Sequence, residues 1–269
     1  MTQVRDHHDH LLVAVNELPN DESVKQAEAL IANGNKLFID SGVYSLTTSH
    51  AKAHGMTMDQ VLSMPPEEVD GFDKLFGRYL AICKQLGDKA WGYIEVDIGG
   101  KEHKRRMRAR IEAMGLKPIP VYHPLVDGWD YFDELAQNYD RICFGNIVAA
   151  NSGTRKRLMA TCYERMRKYP KLWVHLLGMT PNQWACAYPV SSCDSSSWLS
   201  LVRWPKAFRA LSQLRYMSAM GKPWWFTQGA DDPEKNFMKA TYLGAYDAHF
   251  IGANWHAAMR DIERYQKRT

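Results

Sequence analysis

The sequence predicts an α/β protein, a TIM-type (β/α) barrel that is compact or slightly irregular and carries extra C-terminal helices. Three observations support that expectation. Short apolar runs alternate with longer amphipathic stretches along the chain, the pattern of parallel strands joined by helical crossovers. Several of the amphipathic stretches stop at a glycine, as at Gly34, Gly87, Gly115 and Gly221, where a helix C-terminus favours a residue that tolerates left-handed backbone. The 269 residues contain no linker, low-complexity tract or internal repeat, so residues 1–269 read as one barrel domain.

The apolar runs, taken in order, are Leu11–Val15, Leu37–Asp40, Trp91–Asp97, Pro118–Tyr122, Arg141–Phe144, Leu172–Leu177, Tyr188–Cys193 and Pro223–Thr227. Helical periodicity fills the gaps at Ser23–Ala32, Phe72–Leu86, Lys104–Met114, Tyr131–Gln137, Thr154–Tyr169 and Lys206–Met220. Segment Thr47–Asp70 is long for a strand-to-helix loop and reads as an active-site insertion or lid. Beyond Thr227, Pro233–Ala248 and Asn254–Gln266 read as the extra helices.

A hydrophobic fraction of 45% with 24% charged residues suits a globular chain with a sizeable core. The net charge of +4 tolerates a polyanionic partner without requiring one. Five cysteines, an odd number without paired short spacings, argue against a disulfide framework and a four-ligand zinc site, and for a reducing, cytoplasmic setting. Cys83, Cys143 and Cys162 fall in apolar contexts and read as buried free thiols. The N-terminus has no apolar signal core, and no stretch approaches the roughly 20 apolar residues of a membrane span. His7, His8 and His10 form a cluster with metal-binding side chains, read here rather as a solvated or frayed terminus.

Polar groups just past the C-terminal ends of barrel strands converge on one mouth. The strand ends here carry Asp40-Ser41-Gly42, Glu95-Val96-Asp97, Tyr122-His123, Gly145-Asn146, Gly178-Met179-Thr180 and Cys193-Asp194-Ser195. An aspartate at such a place can simply cap the next helix. Three of them, at corresponding positions with small or glycine turns, favour a shared site. Facing carboxylates suit glycosidic chemistry, one attacking the anomeric carbon and the other moving a proton. A third could hold the N–H donors of a purine-like base.

The ordered set of strand ends resembles the queuine/archaeosine tRNA-guanine transglycosylase family. Asp40-Ser41-Gly42-Val43-Tyr44-Ser45 resembles the family's Asp-Ser-Gly-Gly-(Phe/Tyr)-Gln, and Val96-Asp97 its base-reading Phe-Asp-Glu. Phe144-Gly145-Asn146-Ile147-Val148 is similar to its Gly-Gly-Leu-Ala-Val-Gly, and His175-Leu176-Leu177-Gly178-Met179-Thr180-Pro181 to its Tyr-Leu-Met-Gly-Val-Gly-Thr-Pro. Cys193-Asp194-Ser195 resembles the strand end that bears the nucleophile. The resemblance covers roughly Phe38 to Ser197. It implies a covalent glycosyl-enzyme mechanism without cofactor, with Asp194 as nucleophile and Asp40 as general acid/base. Asp97 is then the base-binding carboxylate, and Tyr44 and Leu177 flank the base. Gly145 offers it backbone groups, and Gly178 and His123 complete the substrate site, His123 standing where the family has glutamine.

The family's Cys-x-Cys-x-x-Cys zinc ligands are absent, so no metal is expected. The Pro-Thr-Arg run that reads the tRNA anticodon loop is replaced by Ser195-Ser196-Ser197-Trp198-Leu199-Ser200. Both departures, with the short chain, point to the phage-type DNA branch, whose enzymes insert 7-deazaguanine derivatives into DNA. Expected partners are therefore double-stranded DNA and a free 7-deazaguanine base. Arg203 is the candidate phosphate contact, and Trp198 a candidate for stacking on neighbouring bases. The basic runs at Lys104–Arg108 and Arg155–Arg157 read as phosphate-tracking or as a solvated helix face. A tRNA or nucleotide substrate for the same chemistry, or a non-catalytic nucleic-acid-binding barrel, are the alternatives.

Overall fold

A computed structural model of the chain describes residues 10–179 and 190–194. They form a mixed α/β unit on parallel sheet. The strands are β1 (His10–Ala14), β2 (Lys36–Asp40), β3 (Gly92–Ile94), β4 (Pro118–Ile119), β5 (Val121–Tyr122), β6 (Arg141–Phe144), β7 (Trp173–Leu176) and β8 (Ser192–Cys193). Between them run α1 (Asp21–Ala32), α2 (Val43–His54), α3 (Met58–Ser63), α4 (Phe72–Leu86), α5 (Gly100–Glu112), α6 (Trp129–Asn138) and α7 (Ser152–Met166).

Every pairing is parallel and between strands consecutive in the chain, in two runs, β1-β2-β3-β4 and β5-β6-β7-β8. The break between the runs is Pro120, which has no N–H to give to a ladder. Its carbonyl still accepts from Cys143 N–H at 2.9 Å, and Ile119 carbonyl accepts from Glu95 N–H at 3.0 Å. The Pro118–Tyr122 segment therefore joins β3 on one side to β6 on the other, and the two runs continue into each other.

The helices begin where local chemistry permits. Asn20 and Ser23 form a reciprocal capping box at α1, as Thr57 and Gln60 do at α3. Asn151 accepts from Thr154 N–H at α7. The Phe72–Leu86 helix and the Arg141–Phe144 strand match the sequence expectation end for end.

Segment Thr47–Asp70 departs from it. Rather than a loop, it holds most of α2, all of α3 and a short 3-10 turn at Pro66–Glu68, with Val61 and Val69 buried and Met56, Met58 and Met64 packed on the core. The Thr-rich start of α2 lowers its helical signal. The hydroxyls of Thr47 and Thr48 instead bond back to the Val43 and Tyr44 carbonyls, so the helix keeps them satisfied.

Side chains alternate strictly across the sheet, and this divides the core. Val13, Leu37, Ile39, Tyr79, Ile82 and Leu86 belong to a cluster between β1–β3 and their helices. Phe132, Ile142, Phe144, Val174 and Leu176 belong to its counterpart over β5–β8. The opposite face supplies a third cluster, Phe38, Ile94, Ile119, Val121 and Cys143, with Leu12, Trp91, Trp173 and Leu177 packed against it. Four strand spacings separate β2 from β7, about 19 Å in a flat sheet. Yet the Phe38 ring centroid lies 5.5 Å from that of Trp173 and 5.3 Å from that of His175. The sheet is curled, and its concave face is filled with side chains from β1 to β7. Cys83, Cys143 and Cys162 are buried free thiols, as expected.

Candidate active site

Asp40 is the last residue of β2, and its side chain faces the concave side two residues beyond Phe38. The chain leaves the strand through Gly42, whose φ of 74° and whose approach to Asn16 exclude a side chain: an added Cβ would lie 2.8 Å from Asn16 Oδ1. The Gly42 N–H donates to Asp40 Oδ2 at 3.2 Å. Burial, and next the negative charge of Asp97, push the Asp40 carboxyl up from 3.8 to about 7; the charge of Asp194 adds to the rise, and the Gly42 amide offsets only part of it.

Asp97 lies three residues beyond β3, where its Oδ2 is 2.9 Å from His123 Nε2. A carboxylate oxygen only accepts, so His123 donates from Nε2. Burial alone would raise Asp97, but the His123 hydrogen bond and the charges of His123 and Lys104 together outweigh it and hold the carboxyl below its usual range. His123 is itself fixed from behind. Its N–H donates to Asp127 Oδ2 at 2.9 Å, and the same oxygen accepts from Lys104 Nζ at 2.9 Å. Lys104, 1% exposed, also donates to the Val121 carbonyl at 2.9 Å. A second buried pair braces β3 against α5: Arg108 bonds Glu95 Oε2, while Glu95 Oε1 accepts from Val121 N–H at 2.7 Å, serving the backbone where Pro120 interrupts the ladder.

Asp194 follows β8 directly. His175 Nε2 at 3.0 Å and Gly178 N–H at 2.8 Å both donate to its Oδ1. The buried His175 ring is held at its other nitrogen by Ser192 Oγ, 2.6 Å from Nδ1. Asp194 Oδ1 is thus set by a side chain from β7, itself steadied by one from β8, and by the turn that follows β7. After burial itself, the charges of Asp40, Asp194, Asp97 and Glu95 all push the Cys143 thiol up.

Of the three carboxylates expected to converge, Asp40 is within electrostatic reach of both Asp97 and Asp194. His123 is near them but serves Asp97. Gly145 packs on the His123 ring so tightly that an added Cβ would lie 2.8 Å from Cδ2, and its N–H is given to the Tyr122 carbonyl at 2.9 Å. What Gly145 can offer a ligand is therefore its carbonyl. Leu177 is half-buried against the inner cluster, and Gly178, at φ 65°, holds Asp194. Tyr44 stands 71% exposed in the first turn of α2; Leu125 and Val126, just past β5, are exposed as well. Arg203 and Trp198 lie outside the described residues, as do the predicted Lys206–Met220 helix, the predicted Pro223–Thr227 strand and the helices predicted after it.

The sequence reading gave no role to His175, Ser192, Asp127 or Glu95, and saw Lys104 and Arg108 only as part of a basic run. The strand alternation Trp173, His175, Leu177 carries the signal for His175, since it puts that ring on the concave face with Asp194. The basic run on α5 is committed internally: Lys104 and Arg108 are buried, Arg105 pairs with Glu134 and Arg106 with Glu67. The solvated-face reading holds for Arg105 and Arg106, 39% and 55% exposed, and fails for Lys104 and Arg108.

Compared with known proteins, the chain matches no family model and no curated protein.

Proposed function

We propose that the chain is a pentosyltransferase on a closed (β/α) barrel, exchanging guanine in double-stranded DNA for a free 7-deazaguanine base such as 7-cyano-7-deazaguanine. The observation that carries this reading is the meeting of three carboxylates in unlike electrostatic settings at one end of a curled parallel sheet. Asp40 titrates near neutrality, Asp97 is held ionised by His123, and Asp194 is oriented by His175 and the Gly178 amide.

In the proposed reaction an Asp194 oxygen attacks C1′ of the target nucleotide. The C1′–N9 bond breaks, its electron pair stays with guanine, and Asp40 supplies the proton that neutralises the leaving base. A glycosyl ester to Asp194 results. The incoming base gives a proton to Asp40 and attacks C1′ through N9, and the ester bond breaks to restore the Asp194 carboxylate. An acid/base group near 7 can both give and take a proton at neutral pH. Asp97 accepts hydrogen bonds from the base's amine and ring N–H, and the exposed Tyr44 ring offers a stacking face. Duplex DNA must present its guanine extruded from the stack, at a cost of a few kcal/mol. The choice of DNA over tRNA rests on the missing zinc cysteines and the missing Pro-Thr-Arg run.

Purified protein given duplex DNA and a labelled 7-deazaguanine is expected to incorporate label into DNA, and Asp194→Ala to abolish it. Incorporation into tRNA alone would overturn the substrate, and incorporation into neither would overturn the chemistry.

A further inference from the structure

Away from the strand ends, α2 carries His50 and His54 one helical turn apart, so both rings lie on the same face. Their centroids are 4.2 Å apart with the planes tilted by 33°. Asp70, one residue before the Gly71 cap of α4, comes up to the same spot: its Oδ2 is 3.2 Å from His50 Nδ1 and 2.7 Å from His54 Nε2. One ligand atom from each residue falls within 4.8 Å of the others.

We propose that His50, His54 and Asp70 bind a divalent transition-metal ion, zinc being the ion this donor set suits best, with the remaining coordination position open to water. Two imidazoles and one carboxylate make a three-ligand zinc set of the open kind. Tetrahedral zinc with bonds of about 2.0–2.1 Å separates its ligand atoms by roughly 3.3 Å. The His50–Asp70 edge, at 3.2 Å, already has that length; the His54–Asp70 edge, at 2.7 Å, must open slightly. Both members of the second edge are at the surface, 49% and 70% exposed, and can move; His50, 5% exposed, supplies the fixed corner.

The Asp70 N–H donates to His50 Nδ1 at 3.1 Å, so that nitrogen is unprotonated and its lone pair is taken by the Asp70 amide. Metal binding exchanges this one hydrogen bond for a coordinate bond.

The site differs from the cysteine set that the sequence lacks, and it stands independently of the chemistry at Asp194. An ion here would link the end of α2 to the start of α4 and close off the intervening segment. That segment contains α3, whose Leu62 carbonyl accepts from Gly99 N–H at 2.9 Å in the turn after Asp97.

The test uses full-length protein stripped with chelator and titrated with Co²⁺ alone, followed by its visible ligand-field absorption. One equivalent should bind with four-coordinate spectra and be displaced by Zn²⁺, and Zn²⁺ should raise the melting temperature. His54→Ala and Asp70→Asn, both surface changes, should each weaken Co²⁺ binding roughly tenfold or more while leaving far-UV circular dichroism intact. Full one-equivalent binding by His54→Ala would place the metal elsewhere, for instance at the N-terminal histidines, and overturn the assignment. No saturable binding at micromolar Co²⁺ would overturn it as well.

Discussion

Replacing Asp40 by asparagine separates stability from chemistry. The folded protein holds the Asp40 proton more tightly than the unfolded chain does, because burial and the Asp97 charge raise its carboxyl from 3.8 to about 7. The stability that the neutral acid contributes is fully present below pH 3.8 and is lost as pH rises through about 7. The difference, 7 − 3.8, is about 3.2 pH units, and at about 1.36 kcal/mol each the ionised carboxylate costs the fold about 4 kcal/mol above pH 8. At pH 5 the corresponding difference, 5 − 3.8, is about 1.2 units, so about 1.6 kcal/mol of that loss is already present. Asparagine carries no charge, and its side-chain oxygen can still accept from Gly42 N–H. The stability advantage of Asp40→Asn over the parent should therefore widen by about 2–3 kcal/mol between pH 5 and pH 8. Urea unfolding of both proteins at the two pH values measures this. An advantage that stays flat, or a variant less stable than the parent at pH 8, would refute the placement of Asp40 beside the Asp97 and Asp194 charges. The same substitution should eliminate base exchange, so the more stable protein is the inactive one.

Arg108→Ala leaves the fully buried Glu95 without its cation and should cost about 3–5 kcal/mol in denaturant unfolding; a loss below about 1 kcal/mol would show that the pair does not brace β3. His123→Ala removes the hydrogen bond that most lowers Asp97, so the Asp97 carboxyl should titrate at higher pH, read by carboxyl carbon NMR, and substrate binding should weaken first at acidic pH. Gly92→Ala sets a Cβ 2.5 Å from Ile119 Cδ1 and 2.7 Å from Phe38 Cε2, overpacking the concave cluster by about 1–3 kcal/mol in thermal melts, whereas a tolerated alanine would mean that the cluster is loosely filled.

The parallel sheet was legible because its strands are apolar on both faces and its helices are amphipathic, two periodicities that hardly overlap. Residues Phe72–Leu86 carry that periodicity over four turns and were bounded correctly at both ends. The helix at Val43–His54 was hidden because its first turns are rich in Thr and Ser, which favour other backbone states unless their hydroxyls find carbonyls in the helix. The three aspartates were visible from their positions after strands. Their differing settings were not, since these depend on His123 and His175 arriving from neighbouring strands and on Lys104 reaching across from α5. A spacing of four between His50 and His54 was readable only once that stretch was known to be helical.

The filled concave face described above has a kinetic meaning under the proposed chemistry. Phe38, Ile94, Ile119, Val121 and Cys143 are each at most 5% exposed, so the floor beneath the carboxylates is solid. In the proposed closed barrel a base reaching Asp97 could not pass through to the far end and would leave by the opening through which it came. Departing guanine and arriving 7-deazaguanine would then occupy one berth in turn, and each would have to vacate it for the other. Free guanine should accordingly compete with the incoming base and run the reaction backwards, and steady-state velocities should follow a substituted-enzyme pattern with a single doorway serving both halves of the cycle.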